Sequence, residues 1–293
     1  MRNQLYIGNL ERHLSYLLDD NYAHYVPGNS TVANTQQRRF YQNFGSILSA
    51  YSGSSSSYQG LRMSVERRVT NSLSFEANYT FAKSSDEASA DSTPGQGTSI
   101  IRIGLQAPVN RSVSDFNVKH RFVASVVYAL PKLDGQRAYL RGVAGGWQTS
   151  GILTLQSGLP FTVFSGKDNS FSGINADHAN VIGNPLLDTG RPHGQLVAKY
   201  FNTSAFVTNP VGTFGTSPRN FLVGPGLTNL DMAIMKNFNV FDRARLEFRA
   251  VAFNLLNHSN FGNPVATVTS PNVGKITSAA DPRIMQLALK ATF

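Results

Sequence analysis

The chain has 293 residues, of which 41% are hydrophobic and 15% charged, and its formal net charge is +9. Its mean hydropathy is −0.19, and no stretch approaches the roughly 20 apolar residues of a transmembrane helix, so a helical membrane protein is excluded. The absence of cysteine excludes a disulfide framework and any thiolate metal site. The densest basic pairs, Arg38-Arg39 and Arg67-Arg68, are too small for a nucleic-acid surface, and no nucleic-acid partner is expected.

The first half of the chain predicts β-strands, because apolar and polar residues alternate along it. A strand is expected around Leu5–Leu10, and a short one at Gly45–Tyr51. Ser57–Val69 and Ser72–Lys83 flank the tight Thr70-Asn71 turn, and each has one apolar and one polar face. These two segments therefore predict a hairpin.

The middle and the second half predict further strands at Lys119–Leu130 and at Gly146–Ser157, where Ile152 is out of phase. A second hairpin is expected from Leu227–Phe238 and Asp242–Asn254. Pairing Asn237 with Arg243 sets Asp231 opposite Arg249 on the polar face. On the apolar face the same register pairs Leu230 with Ala250, Met232 with Phe248 and Ile234 with Leu246. Lys236 interrupts the apolar face near the turn, where its side chain can snorkel to the membrane interface.

The last segment, Arg283–Phe293, alternates almost perfectly and ends on an aromatic residue. It has about the 9–11 residues of a tilted membrane-crossing strand and resembles the closing strand of a bacterial outer-membrane barrel. Leu287, Leu289 and Phe293 resemble the signal that the barrel-assembly machinery reads. A soluble edge strand would give the same alternation.

The lengths of the connections favour a membrane barrel. If the chain ends in the periplasm, the short connections at 70–71, 131–145 and 239–241 lie on the periplasmic side, and the long ones at 84–118, 158–226 and 257–282 lie outside. We therefore predict an all-β, antiparallel up-and-down transmembrane β-barrel, here a partial barrel of about eight strands with long extracellular loops. The loops are either solvated turns or a ligand-contacting crown.

Charged residues on the polar strand faces are the candidates for ligand contacts in the lumen. The candidates are Arg62, Glu66, Glu76, Asp231, Arg245, Glu247 and Arg249. Each is either a wall charge that holds water and neighbouring side chains or a ligand contact. The loop histidines His178, His193 and His258 lack metal-ligand spacing, and no nucleophile or phosphate-binding motif occurs. We expect no catalytic residue, metal or cofactor. The alternative of an outer-membrane enzyme would be tested by substituting loop Ser and His residues.

Four segments of the chain match known sequence motifs. Residues 79–86 resemble "YTWSKSxD", residues 220–231 resemble the strand-entry motif "RNxxRGPGxxNxDxS", residues 248–264 resemble "FRAEFFNLFNHPNFGNP", and residues 276–283 resemble "ITSxxDPR". Together, and in family order, these motifs resemble those of the Oar-like TonB-dependent outer-membrane receptors. The resemblance extends from about Tyr6 to Phe293.

The resemblance implies a receptor barrel for energised uptake of a carbohydrate, peptide or chelate. It implies four partners: outer-membrane lipid, the barrel-assembly machinery, a plug domain and TonB. Family members also carry a signal peptide, a TonB box and a plug, and residues 1–5 lack the apolar core of a secretory signal. Residues 1–293 are therefore expected to be the C-terminal part of such a barrel, inactive in transport alone. The alternatives are an ungated pore and an adhesion or binding module.

Overall fold

The computed structural model describes residues 2–70, 72–89, 111–188, 190–241 and 244–292. These residues form one large antiparallel sheet with a layer of long connections at one edge. The large sheet contains the following strands: β1 (Arg2–Asp19), β2 (Leu48–Thr70), β3 (Leu73–Asp86), β4 (Ser112–Val113), β5 (His120–Ala129), β6 (Trp147–Gln156), β11 (Leu227–Phe241), β12 (Ala244–Phe253) and β13 (Ile284–Thr292).

The remaining elements are short, and most of them lie in the long connections. Two-residue strands form two small ladders: β7 (Pro160–Phe161) with β10 (Leu222–Val223), and β8 (Asn180–Val181) with β9 (Phe206–Val207). The helices are α1 (Ala138–Ala144), α2 (His193–Ala198) and the 3-10 turns Gln36–Arg38 and Thr203–Ala205. In the part of the chain that the structure describes, no helix is long and apolar enough to cross a membrane.

Strands that follow one another along the chain lie side by side in the large sheet. Its order is β1-β2-β3-β5-β6-β11-β12-β13, with β4 added beside β3, and every ladder is antiparallel. The predicted up-and-down topology is therefore confirmed. Within the described residues no ladder joins β1 to β13, so these two strands form the edges of the sheet.

The predicted division of each strand into an apolar and a polar face is confirmed by the ladders. Phe75 lies opposite Val126, Val126 opposite Gly151, and Gly151 opposite Met232, so apolar residues continue from strand to strand on one face. Several of these side chains are exposed, among them Leu61, Phe81 and Ile234. We call this the apolar face and the opposite one the polar face. An exposed and continuous apolar face is typical of a sheet whose neighbour is lipid.

The connections divide by length between the two ends of the strands, as predicted. Short connections join β2 to β3, β5 to β6 and β11 to β12 at one end. Long connections lie at the other end of the strands. We call their described parts together the crown: residues 20–47, 87–89 with 111–119, 157–226 and 254–283. The crown segment 20–47 was not predicted.

The first two strands are longer than predicted, and this explains the missed crown segment. The strand expected at Gly45–Tyr51 is the beginning of β2, and the one expected at Leu5–Leu10 is part of β1. The serine-rich stretch that follows Tyr51 in β2 stays extended because it pairs with β1 and, from Ser56 onward, also with β3. Ser56, for example, lies opposite Glu11 of β1 and Asp86 of β3.

The predicted register of the second hairpin was wrong. Ile234 lies opposite Ala250 and Phe238 opposite Leu246, and Arg249 faces Met235 rather than Asp231. The reason is that β11 continues to Phe241, so that the turn lies two positions later than predicted. Because the slip is an even number of residues, each side chain stays on its predicted face.

Lys236 lies on the apolar face near the short connections and is only 4% exposed. Its Nζ donates to the carbonyl oxygens of Val143, at 3.0 Å, and Gly145, at 2.6 Å. It also lies 5.4 Å from the ring centroid of Trp147 and 5.1 Å from that of Phe238. The cation thus ties the connection between β5 and β6 to β11, instead of reaching solvent.

The crown has a hydrophobic core of its own. It packs against Ala266, Val268 and Val273 of the last crown segment. Its buried residues all come from the segment 157–226: Phe161, Val163, Ala179, Phe201, Ala205, Phe206 and Leu222. Backbone hydrogen bonds join the same segments, from Phe164 N to Ala266 O and from Val268 N to Phe164 O, both at 2.9 Å. Such packing makes the crown a folded layer instead of separate loops.

Candidate functional site

The seven predicted lumen residues all lie on the polar face, but they do not form one cluster. Glu66, Glu76 and Asp231 share one row across the sheet, with Ser125 and Ile152 between the last two. Glu76 and Asp231 are three strand spacings apart, about 14 Å. The structure therefore brings these residues onto one wall rather than around one ligand.

A first group lies on β2 and β3. Arg62 donates through Nη2 to Asn78 Oδ1 at 2.8 Å, and Asn78 Nδ2 donates to Glu76 Oε1 at 2.7 Å. Glu66 lies directly opposite Glu76, and both are exposed on the polar face. Two carboxylates directly opposite each other on neighbouring strands repel each other.

A second group lies at the edge with the short connections. Arg245, Glu247 and Lys290 line a cleft of about 340 Å³ together with Asn237 and Thr292. The neighbouring Arg249 lies 3.4 Å from Glu247 and is exposed, so their ion pair is screened by water. This group mixes both charge signs and is open to solvent.

Asp231 is a structural residue in this arrangement. Its Oδ1 accepts hydrogen bonds from the backbone N of Asn254 and from Asn229 Nδ2, both at 2.9 Å. Asn254 has a φ of 48° and directly follows β12, so Asp231 supports the bend by which the chain enters the last crown segment. Because one of its oxygens already accepts two donors, we assign it to the wall.

A buried ion pair in the crown was not predicted from the sequence. Arg219 is 6% exposed and Asp86 4%. The Arg219 guanidinium donates to the Asp86 carboxylate through a short contact, to Asp115 Oδ1 at 2.9 Å and to Ser89 Oγ at 2.7 Å. Asn220 joins the same network, because its Nδ2 donates to Asp115 Oδ1 at 2.6 Å.

This network joins two of the motifs found in the sequence. Asp86 is the last residue of the 79–86 motif, and Arg219 and Asn220 stand at the entry of the 220–231 motif. The signal that sequence reasoning missed was the presence of charged residues of opposite sign at the ends of these motifs. Their separation of 133 positions made the contact invisible to any local pattern.

Three motifs also meet in one cleft of about 410 Å³ between the crown and β11. It is lined by the Pro225-Gly226 pair, by residues 260–263 and by residues 278–280. Close backbone approaches build it, since a Cβ on Gly224 or on Gly262 would overlap side chains of the neighbouring segments. The glycines of these motifs therefore serve packing at the base of the crown.

The terminal strand has the predicted faces. Leu287 and Leu289 of β13 lie on the apolar face and are 73% and 66% exposed. Phe293 lies outside the described residues. An edge strand with exposed apolar side chains is compatible with recognition during assembly, which remains a prediction.

Aromatic residues mark two levels of the apolar face. Tyr79 and Phe81 lie near the crown, whereas Trp147 and Phe238 lie near the short connections. Along β5 and the residue that follows it, these levels lie ten residue steps apart, from His120 to Leu130. Ten strand residues span about 33 Å, and at a tilt of about 40° they cover about 25 Å of height, the height of the apolar band of outer-membrane barrels.

Comparison with protein families gives an assignment that agrees with this geometry. The family model described as an outer membrane beta barrel domain matches residues 3–286. The chain belongs to this family. The outer membrane is therefore the location of this β-barrel domain. Comparison with curated proteins gives no match, and comparison with solved structures gives none.

Within the described residues, no three His, Cys, Asp or Glu side chains lie close enough to hold a metal ion. Among the loop histidines, His178 Nδ1 is 2.5 Å from the carbonyl oxygen of Ser217, and His258 Nδ1 is 3.0 Å from Asn260 Oδ1. Both therefore have hydrogen-bonding partners within the crown.

Proposed function

We propose that this outer membrane β-barrel domain is the receptor barrel of a TonB-dependent transporter of the Oar-like type. The observation that carries the proposal is the crown, in which the described parts of the four long connections form one layer with a hydrophobic core and a buried ion pair. A receptor needs a rigid outer surface of this kind to bind its ligand before uptake. The four motifs that resemble the family give further support.

In this proposal the ligand first contacts the crown. It then passes along the polar face, where Arg62, Glu66 and Glu76 present charges toward the lumen. Energy supplied through TonB moves a plug domain, which belongs to the same receptor. The ligand class is a carbohydrate, a peptide or a metal chelate. The proposal assigns the barrel no catalytic step and no cofactor of its own.

Two further partners are part of the proposal. The apolar face contacts outer-membrane lipid, and β13 with Phe293 is read by the barrel-assembly machinery. Replacing Leu289 by Ser should lower the amount of chain inserted in the outer membrane, and deletion of Phe293 should lower it as well. Replacing Lys290, on the polar face of the same strand, by Ser is the matched control and should leave insertion unchanged.

The test is an uptake experiment in the organism that carries the gene. The gene is deleted in frame, together with any upstream sequence that encodes a plug and a TonB box in the same reading frame. Uptake of labelled oligosaccharides, peptides and ferric chelates is then compared with that of the parent strain, with and without a protonophore.

The result distinguishes three functions. Uptake of one compound that is lost on deletion, and also lost with the protonophore, supports the receptor. Uptake that is lost on deletion but persists with the protonophore refutes it in favour of an ungated pore. Unchanged uptake with reduced binding of cells to a surface refutes it in favour of an adhesion module.

A further inference from the structure

Among the described residues of the crown, three side-chain oxygens are buried without a hydrogen-bond partner: Oδ1 of Asp177, Oδ1 of Asn209 and Oγ of Ser165. These residues are 2%, 1% and 0% exposed. A buried carboxylate oxygen without a donor is strongly unfavourable, because burial removes its water and nothing replaces that water. Their environment therefore calls for a positively charged or proton-donating group.

The three oxygens belong to one cluster. Ser165 N donates to the carbonyl oxygen of Asp177 at 2.8 Å, next to the antiparallel bridge between Phe164 and His178. Residues opposite each other in this way lie on one face, with Cβ atoms about 5 Å apart. Asn209 Nδ2 donates to Asp177 Oδ2 at 2.9 Å. The side chains of Ser165 and Asn209 are thus neighbours of the Asp177 carboxylate.

The orientation of the Asn209 amide is fixed by its contacts. Its Nδ2 donates to Asp177 Oδ2 and, through a 2.5 Å contact, to the carbonyl oxygen of Thr213. Both of these partners are acceptors only, so a flipped amide would place its oxygen against two other oxygens. Oδ1 of Asn209 is therefore an acceptor, and it has no hydrogen-bond donor among the described residues.

A second carboxylate lies beside the first. Asp168 accepts hydrogen bonds from Gly173 N at 2.9 Å and from Ser170 Oγ at 2.9 Å, while Ser170 N donates to Asp177 Oδ2 at 2.7 Å. Ser170 thus links the two carboxylates. The spacing of Asp168, Ser170, Ser172 and Gly173 is that of loops that offer alternate oxygens to a cation, and Gly173 has the φ of 77° that such a turn requires.

Protein cations do not neutralise this pair of carboxylates. Within the described residues neither Asp168 nor Asp177 forms an ion pair. Arg39 lies against Gly173, but its Nη1 is bound to Asp19 and to the carbonyl oxygen of Asn21. The exposed Lys167 is free to extend into water.

Burial raises the pKa of the Asp177 carboxyl, and the nearby Asp168 raises it further, whereas hydrogen bonds from Ser170 and Asn209 oppose this shift.

We propose that the crown binds one Ca²⁺ at Asp177, with Asp168, Asn209 and Ser165 as the sources of further oxygen ligands. A mixed set of carboxylate, amide and hydroxyl oxygens on irregular loops suits Ca²⁺, which accepts six to eight oxygens in flexible geometry. Mg²⁺ requires near-octahedral geometry and keeps several waters. No metal was expected from the sequence, because the loop histidines lack metal-ligand spacing and the chain has no cysteine.

The bound ion would hold together segments that are distant in the chain. Residues 165–177 and Asn209 are its ligand sources, and the segment 20–47 rests on the same loop through a 2.9 Å hydrogen bond from Ala23 N to Ser172 O. Calcium would therefore stabilise the outer layer of the crown. This inference does not depend on what the barrel transports.

The experiment uses the whole chain, extracted from outer membranes in detergent and treated with EDTA. Trypsin cleavage after the exposed Lys167, directly before Asp168, is followed by mass spectrometry with CaCl₂, with MgCl₂ or with EDTA. At a Ca²⁺ concentration about ten times the dissociation constant, the half-life of this bond should increase about tenfold. Sites in extracellular modules bind Ca²⁺ at about 0.1–1 mM, so about 1–10 mM CaCl₂ covers the range.

The matched variants are Asp177→Asn and Asp188→Asn. Asp188 is an exposed carboxylate of the same crown segment, hydrogen-bonded to Gly190 N. We expect Asp177→Asn to lose the calcium effect and Asp188→Asn to keep it. Cleavage at the same rate in CaCl₂ and in EDTA would overturn the proposal. The proposal would also be overturned if Mg²⁺ protected the bond as well as Ca²⁺ and if Asp177→Asn kept that protection. Such protection would come from cations bound to lipopolysaccharide and not from a cation site at Asp177.

A second variant keeps the test decisive if Asp177→Asn does not fold. Asn209→Asp adds a third carboxylate to the cluster, and it should raise the affinity for Ca²⁺, measured by titration with ⁴⁵Ca²⁺. In EDTA the same variant should be cleaved faster than the wild type, because an additional buried charge is then uncompensated. An unchanged or weaker affinity would contradict the proposed ligand role of Asn209.

Discussion

Replacing Arg219 by Ala should open the crown. The wild-type side chain is buried and donates to Asp86, to Asp115 and to Ser89. Its removal leaves the Asp86 carboxylate, 3% exposed in its side chain, without a cationic partner. The Ser89 hydroxyl remains a donor to it, at 2.8 and 2.9 Å. One neutral hydrogen-bond donor does not offset a buried charge.

The expected magnitude follows from burial. Breaking a buried ion pair by removing one partner typically costs about 3–5 kcal/mol. Since each 1.4 kcal/mol is a factor of ten, the equilibrium constant for local opening of the crown should rise between about one hundredfold and about four thousandfold. The large sheet does not depend on this pair, so only the crown should open.

Hydrogen–deuterium exchange with mass spectrometry measures this opening. Exchange should accelerate in peptides that contain the crown core, such as those around Phe161 and Phe206, and should stay slow in β11 and β12. Replacing Arg249 by Ala is the control. This arginine is 49% exposed in its side chain and pairs with Glu247 at 3.4 Å, so its loss should cost less than about 1 kcal/mol.

Equal exchange rates of the crown in Arg219→Ala and Arg249→Ala would show that the buried ion pair does not hold the crown together. A double variant sharpens the test. Replacing Arg219 by Met together with Asp86 by Asn removes both charges, so it should be more stable than Arg219→Ala alone. A double variant as unstable as the single one would show that packing of the arginine stem, and not its charge, holds the crown.

Three further predictions concern other parts of the chain. Replacing Lys236 by Met removes a buried donor from two carbonyl oxygens and should destabilise the barrel by about 1–3 kcal/mol. The loss should appear as a lower unfolding temperature on heated gels, whereas Lys290→Met, at an exposed position, should have little effect. Replacing Gly158 by Ala should loosen the crown in proteolysis, because the added Cβ would overlap a crown carbonyl oxygen, whereas Gly45→Ala meets nothing within 4 Å. Burial raises the pKa of Asp177 above its ordinary 3.8, so in EDTA crown stability should fall as pH rises from about 4 through the raised pKa.

The sign of the last prediction follows from proton binding. The folded state holds the Asp177 proton more tightly than the unfolded state, so folding is favoured at low pH and this contribution is lost as the carboxyl ionises. Asp177→Asn should remove the decline, and Ca²⁺ should suppress it in the wild type. A crown whose stability rises over this range would contradict the assignment. Equal unfolding temperatures for Lys236→Met and Lys290→Met, or equal cleavage of the two glycine variants, would refute the other two.

The faces of the strands were predictable from the sequence, whereas their exact partners were not. Alternation assigns Met232 and Ile234 to the apolar face, and any register that differs by an even number preserves this assignment. The turn after Phe241 was misplaced because Asn239 suggests a turn by composition, although Asn239 lies in the ladder opposite Arg245. Pairing on both sides of a strand overrides such local preferences.

The site was predictable only in part, for a related reason. Glu66 and Glu76 were recognised because the hairpin that places them opposite each other is local. The contact between Asp86 and Arg219, and the cluster around Asp177 and Asn209, depend on how the crown segments pack. No periodicity records that packing, since these segments are irregular and their polar residues resemble those of ordinary solvated turns.

The ion pair between Asp86 and Arg219 also constrains the order in which the protein is assembled. Asp86 is the last residue of β3 and Arg219 precedes β11, with β5 and β6 between these strands in the sheet. Closing a contact over 133 positions is entropically unfavourable until the intervening strands have brought its ends together. The crown can therefore form only after the wall beneath it, and a chain stalled during insertion would expose an unpaired arginine and carboxylate at the cell surface, where surface proteases could distinguish it from the finished protein.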